Sequence, residues 1–325
     1  MKKAILIILS AWATTSMAQT IKPLHFSIVQ AVGTDGRESK NTDYHFSLNL
    51  FSGTVRSIKG IEIGTIYNQN EGNLVGLQSS GILNITKGNV IGYQNAGITN
   101  ISGDVKGLQH AGLSNHSKNI IGIQAAGIIN TAKDVIGLQV SGIFNKATKL
   151  KGYQIGLINM AETVEKGGGI GLLNLYKKDG YQEIEASVSD YQNIGISFKS
   201  GTKKLYSVLN VGYNFNPTSL FSTGFGFGRL LEIKSNLYFK PEIVWYNYVT
   251  DDLKFNTSTN ATHLKLGIMQ KIGKVGITLS PSIYYANIPK NLEGSLTEIT
   301  RFKPFTQSKN GRFGFGIALG IALLK

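Results

Sequence analysis

The chain has 325 residues, with 33 Lys and Arg against 19 Asp and Glu, 39 glycines, six prolines and no cysteine. Without thiols there is no disulfide framework, no thiolate metal centre and no lipoprotein anchor, which needs a cysteine at its cleavage site. Charged residues are only 16% of the chain and are scattered, so the formal charge of +14 forms no basic stripe with interleaved aromatics. The charge is read as a solvated or anion-facing surface, and no nucleic-acid partner is expected.

Residues 1–18 read as a secretory signal peptide. Lys2 and Lys3 make a basic start, an apolar run follows, and Ser16, Met17 and Ala18 form a small-x-small site with cleavage expected before Gln19. The apolar run is too short for an anchoring helix, and no later stretch is long and apolar enough to be one. If the chain enters a membrane, it does so as a closed barrel. Residues 19–57 are read as N-terminal strands, 21–32 and 44–51, joined by a long polar loop. Tyr44, Phe46, Leu48 and Leu50 share one face of the second.

Residues 58–176 form a tandem array. A degenerate opening copy, KGIEIGTIYN, starts at Lys59. The copies GLQSSGILN, GYQNAGITN, GLQHAGLSN, GIQAAGIIN, GLQVSGIFN and GYQIGLIN follow, led by Gly76, Gly92, Gly107, Gly122, Gly137 and Gly152. The leading glycines recur every 15 residues after one interval of 16. A fixed period means one small supersecondary unit whose copies must stack to bury anything. Gln78, Gln94, Gln109, Gln124, Gln139 and Gln154 are equivalent, as are Asn84, Asn100, Asn115, Asn130, Asn145 and Asn159. In parallel register each amide lies over the next, which gives a structural ladder rather than six copies of a site.

Strict alternation within a unit places Gly107, Gln109, Ala111, Leu113 and Asn115 on one face and Leu108, His110, Gly112 and Ser114 on the other. Two folds satisfy the pattern. A β-solenoid makes one coil per unit and explains identity at every step. A barrel meander makes one membrane-length strand per unit, and would merge the whole chain into one barrel of about 16–18 strands. The meander predicts a period of two units, which is absent, and the solenoid is preferred. The last copy is one residue short, which leaves its register open.

Residues 177–325 change character. Val211, Tyr213 and Phe215 oppose Asn210, Gly212 and Asn214. Ile243 and Trp245 oppose Glu242 and Tyr246. Phe313, Phe315, Ile317, Leu319, Ile321 and Leu323 oppose Gly314, Gly316, Ala318, Gly320 and Ala322. One apolar face and one small or polar face over 10–14 residues is the dyad of an antiparallel outer-membrane-type β-barrel. Long polar connections at 251–260 and 289–310 alternate with minimal joints near Lys234 and Gly273, as extracellular loops alternate with periplasmic turns. The chain ends on Leu324 and Lys325 rather than on an aromatic residue, a departure from many such barrels.

No catalytic, cofactor or metal residues emerge. His25, His45, His110, His116 and His263 are scattered without ligand spacing, and no GGxGxD calcium repeat occurs. The glycine clusters 167–171 and 224–228 precede no helix, so they are read as strand glycines rather than phosphate loops. Glu183, Glu185 and Glu242 could act inside a barrel, yet no Ser/His partnership accompanies them.

The Gly-h-Gln-x-x-Gly-h-x-Asn units resemble a family of bacterial surface-repeat proteins with tandem GLQxxGIxN-like blocks behind a signal peptide. The resemblance covers residues 58–174 strongly and the flanks loosely. It implies envelope or surface placement and carries over no catalytic residues. The sequence thus predicts an all-β chain: 15-residue β-solenoid-like repeats, then a barrel. The expected protein is exported to the outer membrane or cell surface of a Gram-negative-type envelope, non-enzymatic and free of cofactors, with a structural or interaction role. A pore is the alternative, and a barrel-embedded hydrolase the most remote.

Overall fold

In the computed structural model the described residues are 21–215, 219–250, 259–287, 305–308 and 311–325. The segment read as a signal peptide lies outside them, as do nearly all of 251–260 and most of 289–310. The chain is 78% strand and 2% helix, a parallel β-solenoid of about nine turns followed by a closed antiparallel barrel of eight strands.

Each solenoid coil is a long strand and a short one joined by a glycine turn. Val105–Ala111 and Ser114–Ser117 are one such pair. Gln109 sits level with Gln94 and Gln124, and Asn115 with Asn100 and Asn130, in parallel ladders. Like residues meet at every rung because neighbouring strands run the same way. The meander fails on this point, and the single barrel of about 16–18 strands fails with it.

The inward row Ile58, Leu74, Val90, Val105, Ile120, Val135 and Leu150 is sealed from solvent and forms the apolar core. Strict alternation mis-assigns the turn. Leu113, expected beside Gln109, is 43% exposed, whereas Ser114 is buried. The backbone bends at Gly112 and Leu113, which resets the in–out phase, so Ile82, Ile98, Leu113, Ile143 and Leu157 form an outward ridge. The short last copy keeps register at both ladders, Gln139 with Gln154 and Asn145 with Asn159. The missing residue comes out of the turn, where Gly156 follows Ile155 directly. The parallel sheet also begins ahead of residue 58. Ile21–Val29 pairs parallel with Asp43–Asn49, and that strand with Ser57–Gly64, so the N-terminal strands are its first rungs.

The barrel strands are Tyr181–Ser189, Ile194–Thr202, Leu205–Asn214, Leu220–Gly228, Leu237–Thr250, Thr259–Ile272, Val275–Asn287 and Gly311–Leu324. The first and last pair from Glu183 with Leu324 to Ser189 with Ala318, which closes the sheet. The outer surface carries Ile196, Val211, Trp245, Ile268, Leu279, Phe315 and Ile321, all well exposed, while glycine, serine, tyrosine and charged residues point inward. Strands of nine to 14 residues meet the roughly 9–11 residues a tilted strand needs to cross a bilayer.

Solenoid and barrel meet at the end with the short turns. The tip of the second barrel hairpin covers the last coil: Asn174 donates its backbone N–H to Ser200 Oγ at 3.1 Å and its amide to Ser207 Oγ at 3.0 Å. Ser207 in turn donates to the Leu172 carbonyl at 3.1 Å. The open end of a parallel solenoid would expose its core, and here the barrel is the cap.

Candidate functional site

Two polar arrays stand out, and neither resembles a substrate cleft. In the first, every expected ladder residue (Gln78, Gln94, Gln109, Gln124, Gln139, Gln154, Asn84, Asn100, Asn115, Asn130, Asn145, Asn159) has no solvent exposure. Each asparagine donates Nδ2–H to Oδ1 of the next coil at 2.8–3.1 Å, from Asn49 through Asn68 to Asn174. The second amide hydrogen caps a backbone carbonyl in most coils, as Asn115 does to Ala125 at 2.6 Å. The glutamines donate the opposite way, each to the preceding coil at 2.7–2.9 Å. The two amide columns therefore have opposed dipoles, which offset one another along the axis.

The glutamine column ends at Glu62, which takes the Gln78 amide at 2.8 Å and the Asn49 amide at 3.1 Å. Asn49, Asn68 and Asn174 extend the asparagine column beyond the copies used to define the repeat. Two of these were readable: Asn68 closes the degenerate copy, and Asn174 closes a partial copy, GLLN at Gly171–Asn174, each at the repeat's asparagine position. Glu62 at the glutamine position was equally readable, and a carboxylate suits a terminus because it only accepts hydrogen bonds.

Burial pushes the Glu62 carboxyl up to about 7, against hydrogen bonds that favour its charged form. The folded value lies above the unfolded one, so folding favours the protonated acid. The stability this group contributes is full below about pH 4.5 and is lost as pH rises toward 7. Glu62→Gln should abolish that pH dependence, a swing of up to about 3 kcal/mol between pH 5 and pH 8 in wild type, while facing one of the Gln78 and Asn49 donors with an N–H in place of an acceptor. Hydrogen exchange of Ile58–Leu74 amides at pH 5 and pH 8, corrected for intrinsic rates, reads the difference. Equal wild-type protection at both values would contradict it.

The second array fills the barrel. Glu183, Glu185 and Glu242, weighed from the sequence as catalytic groups, meet three lysines that reading passed over. Lys199 Nζ lies 3.0 Å from Glu183, 3.2 Å from Glu185 and 2.7 Å from Glu242. Lys240 Nζ lies 2.7 Å from Glu183 and 2.9 Å from Glu185, and Lys265 is 3.7 Å from Glu242. Tyr206 donates to Glu242 at 2.9 Å, and Tyr181 donates to Glu183. Three cations match three anions, each at most 5% exposed. Lys240 stands on the fifth strand and its partners on the first, so these ion pairs cross the lumen.

Toward the other end lies an aromatic layer. The His263 ring is 4.2 Å from Tyr191, 5.1 Å from Tyr246 and 5.2 Å from Tyr284 between centroids. Tyr191 comes from the turn after the first strand, which folds inward. Its neighbour Gln192 donates to Asn210 and Ser222, each at 2.7 Å. The glycine cluster at 224–228 makes room for this filling: a Cβ on Gly224 would lie 2.9 Å from the Tyr246 ring, and one on Gly228 2.6 Å from the Tyr206 ring. Gly167 pairs in register with Gly152 inside the parallel sheet, with no helix following.

The histidines are dispersed. His110 Nδ1 lies 2.9 Å from Asn95 Oδ1 and His116 Nδ1 2.7 Å from Thr131 Oγ1, each beside the adjacent coil. Among the described residues no group of three His, Asp or Glu could hold a metal ion. Compared with protein-family models, curated proteins and solved structures, the chain matches none of them.

Proposed function

We propose that this is an exported, non-enzymatic outer-membrane protein of a Gram-negative-type envelope. Its barrel serves as the anchor and its solenoid as a structural or interaction module. The observation that carries this reading is the outer surface of the barrel. Ile184, Ile196, Val211, Ile268, Ile277, Leu279, Ile317, Leu319 and Ile321 are 42–61% exposed on a sheet that no second layer covers among the described residues. Left in water, so large an apolar belt would drive aggregation, and acyl chains solvate it.

The filled interior supports an anchor over a pore, since ion pairs and stacked rings occupy the lumen. Short turns face the periplasm in outer-membrane barrels. By that rule the solenoid projects into the periplasm, and the opposite rim of the barrel faces outward. The repeat units and their resemblance to surface-repeat proteins fit an interaction role for the solenoid.

Washed membranes from an expressing Gram-negative host should keep the protein in the pellet after alkaline carbonate. Full release into the supernatant would refute the membrane reading. Conductance steps from the folded protein in planar bilayers would instead favour the pore.

A further inference from the structure

The geometry points to a docking collar for anionic phospholipid headgroups at the solenoid-facing end of the barrel. This rests on the membrane reading above and adds which lipid surface that end meets. Along the first, sixth, seventh and eighth strands the apolar outer rows run down to a last ring segment and then change abruptly. Ile184, Leu323, Val275 and Ile272 form that ring, 40–63% exposed and joined by the pairings of Ile184 with Leu323, Leu323 with Val275 and Val275 with Ile272. The next residues outward are Lys274, which adjoins Val275 in the turn, and Lys325, two residues beyond Leu323.

The other joints at this end continue the pattern. Lys203 and Lys204 form the second hairpin tip, Arg229 and Lys234 flank the strand Leu231–Lys234, and Lys177 and Lys178 lead out of the solenoid. Eight exposed basic side chains thus gather at this end, against Glu162 (3.4 Å from Lys177), Glu165, Asp179 and Glu232. At the opposite rim, among the described residues, the strand ends and turns carry Asn193, Asn214, Asn247, Asn260 and Asn287, with Arg312 and Asp190 as one cation and one anion.

An apolar ring followed within one or two residues by lysines is the profile of the hydrocarbon-to-phosphate boundary of a leaflet. Long basic side chains there keep their stems in the acyl region and their charge at headgroup level. The collar also borders a cleft of about 360 Å³ between solenoid and barrel, where Lys166, Lys203 and Lys204 outnumber Glu165 and Asp179. Charge complementarity selects phosphate over a neutral surface. The position beside the apolar belt selects lipid phosphate over a soluble anion.

The test uses the full chain folded into mixed phosphatidylcholine and phosphatidylglycerol vesicles, with native mass spectrometry of the lipids that stay bound. Wild type should retain phosphatidylglycerol several-fold above its bulk share, and the excess should vanish at high salt. The variant K203Q/K204Q/K274Q/K325Q changes exposed positions only. It should stay inserted, judged by the heat-modifiable gel shift of a folded barrel, and should retain lipid at the bulk ratio, a loss of at least about five-fold.

Bulk-ratio retention by inserted wild type, or unchanged enrichment in the inserted variant, would overturn the collar. Displacement by inorganic phosphate at concentrations where chloride has no effect would also overturn it, in favour of a discrete phosphate site. Failure of wild type to insert at all sinks the membrane reading instead, so the two failures are told apart.

Discussion

Gly122→Ala is expected to break the solenoid at its middle, at a cost above about 3 kcal/mol, because two independent penalties fall on one methyl group. Gly122 has φ of +135°, where L side chains are not accommodated. Its Cβ would also lie 2.0 Å from the Gly107 carbonyl oxygen of the preceding coil. That oxygen belongs to the rung below and cannot swing away as a flexible side chain would. The coils must therefore separate, and Gln109 and Gln124, now 2.9 Å apart, would lose their bond at the same step.

The measurable result is local. Amide exchange should accelerate several-hundred-fold in the strands Val105–Ala111, Asn119–Ala126 and Asp134–Ser141, while the barrel keeps its heat-modifiable shift. Gly97→Ala gives a comparison at a turn. Its added Cβ meets the Gly81 carbonyl at 1.9 Å, but its φ is not among the positive ones, so only the clash applies. Gly122→Ala should be the worse of the two. Wild-type exchange in both would mean the coils are not stacked in this register.

That prediction was partly readable before any coordinates. A glycine, a glutamine and an asparagine at one phase of a 15-residue period require like residues to meet, which selects parallel stacking. The bend at Gly112 was not readable from alternation. A period-two count runs straight through a turn, so it put Leu113 on the face of Gln109 and Ser114 on the opposite one. In the barrel the faces were legible because Phe313, Phe315, Ile317 and Leu319 alternate with glycine and alanine over a whole strand. The ion network was legible only in halves. Lys240 and Glu242 share an inward face by alternation, but the partners of Lys240 lie 57 and 55 residues earlier, across a lumen. Closure of the sheet brings them together, and no local pattern encodes which strand faces which.

Lys240→Met removes one cation from a sealed group of six charges and should destabilise the barrel by about 3–5 kcal/mol. Lys240 is 1% exposed and touches Glu183 and Glu185, so its loss leaves two carboxylates sharing Lys199. Methionine fills similar volume, so the penalty is electrostatic rather than a cavity. Lys240→Met with Glu185→Gln restores neutrality, with two cations against Glu183 and Glu242, and should recover most of the loss. Urea or heat midpoints of the gel shift measure both. The comparison also separates an anchor from a pore. In a water-filled lumen high dielectric would screen these charges, and Lys240→Met would cost less than about 1 kcal/mol, with no rescue by the second change. A large single penalty with rescue requires a lumen that excludes water at the level of Lys199 and Lys240, and a barrel dry at that level conducts no ions.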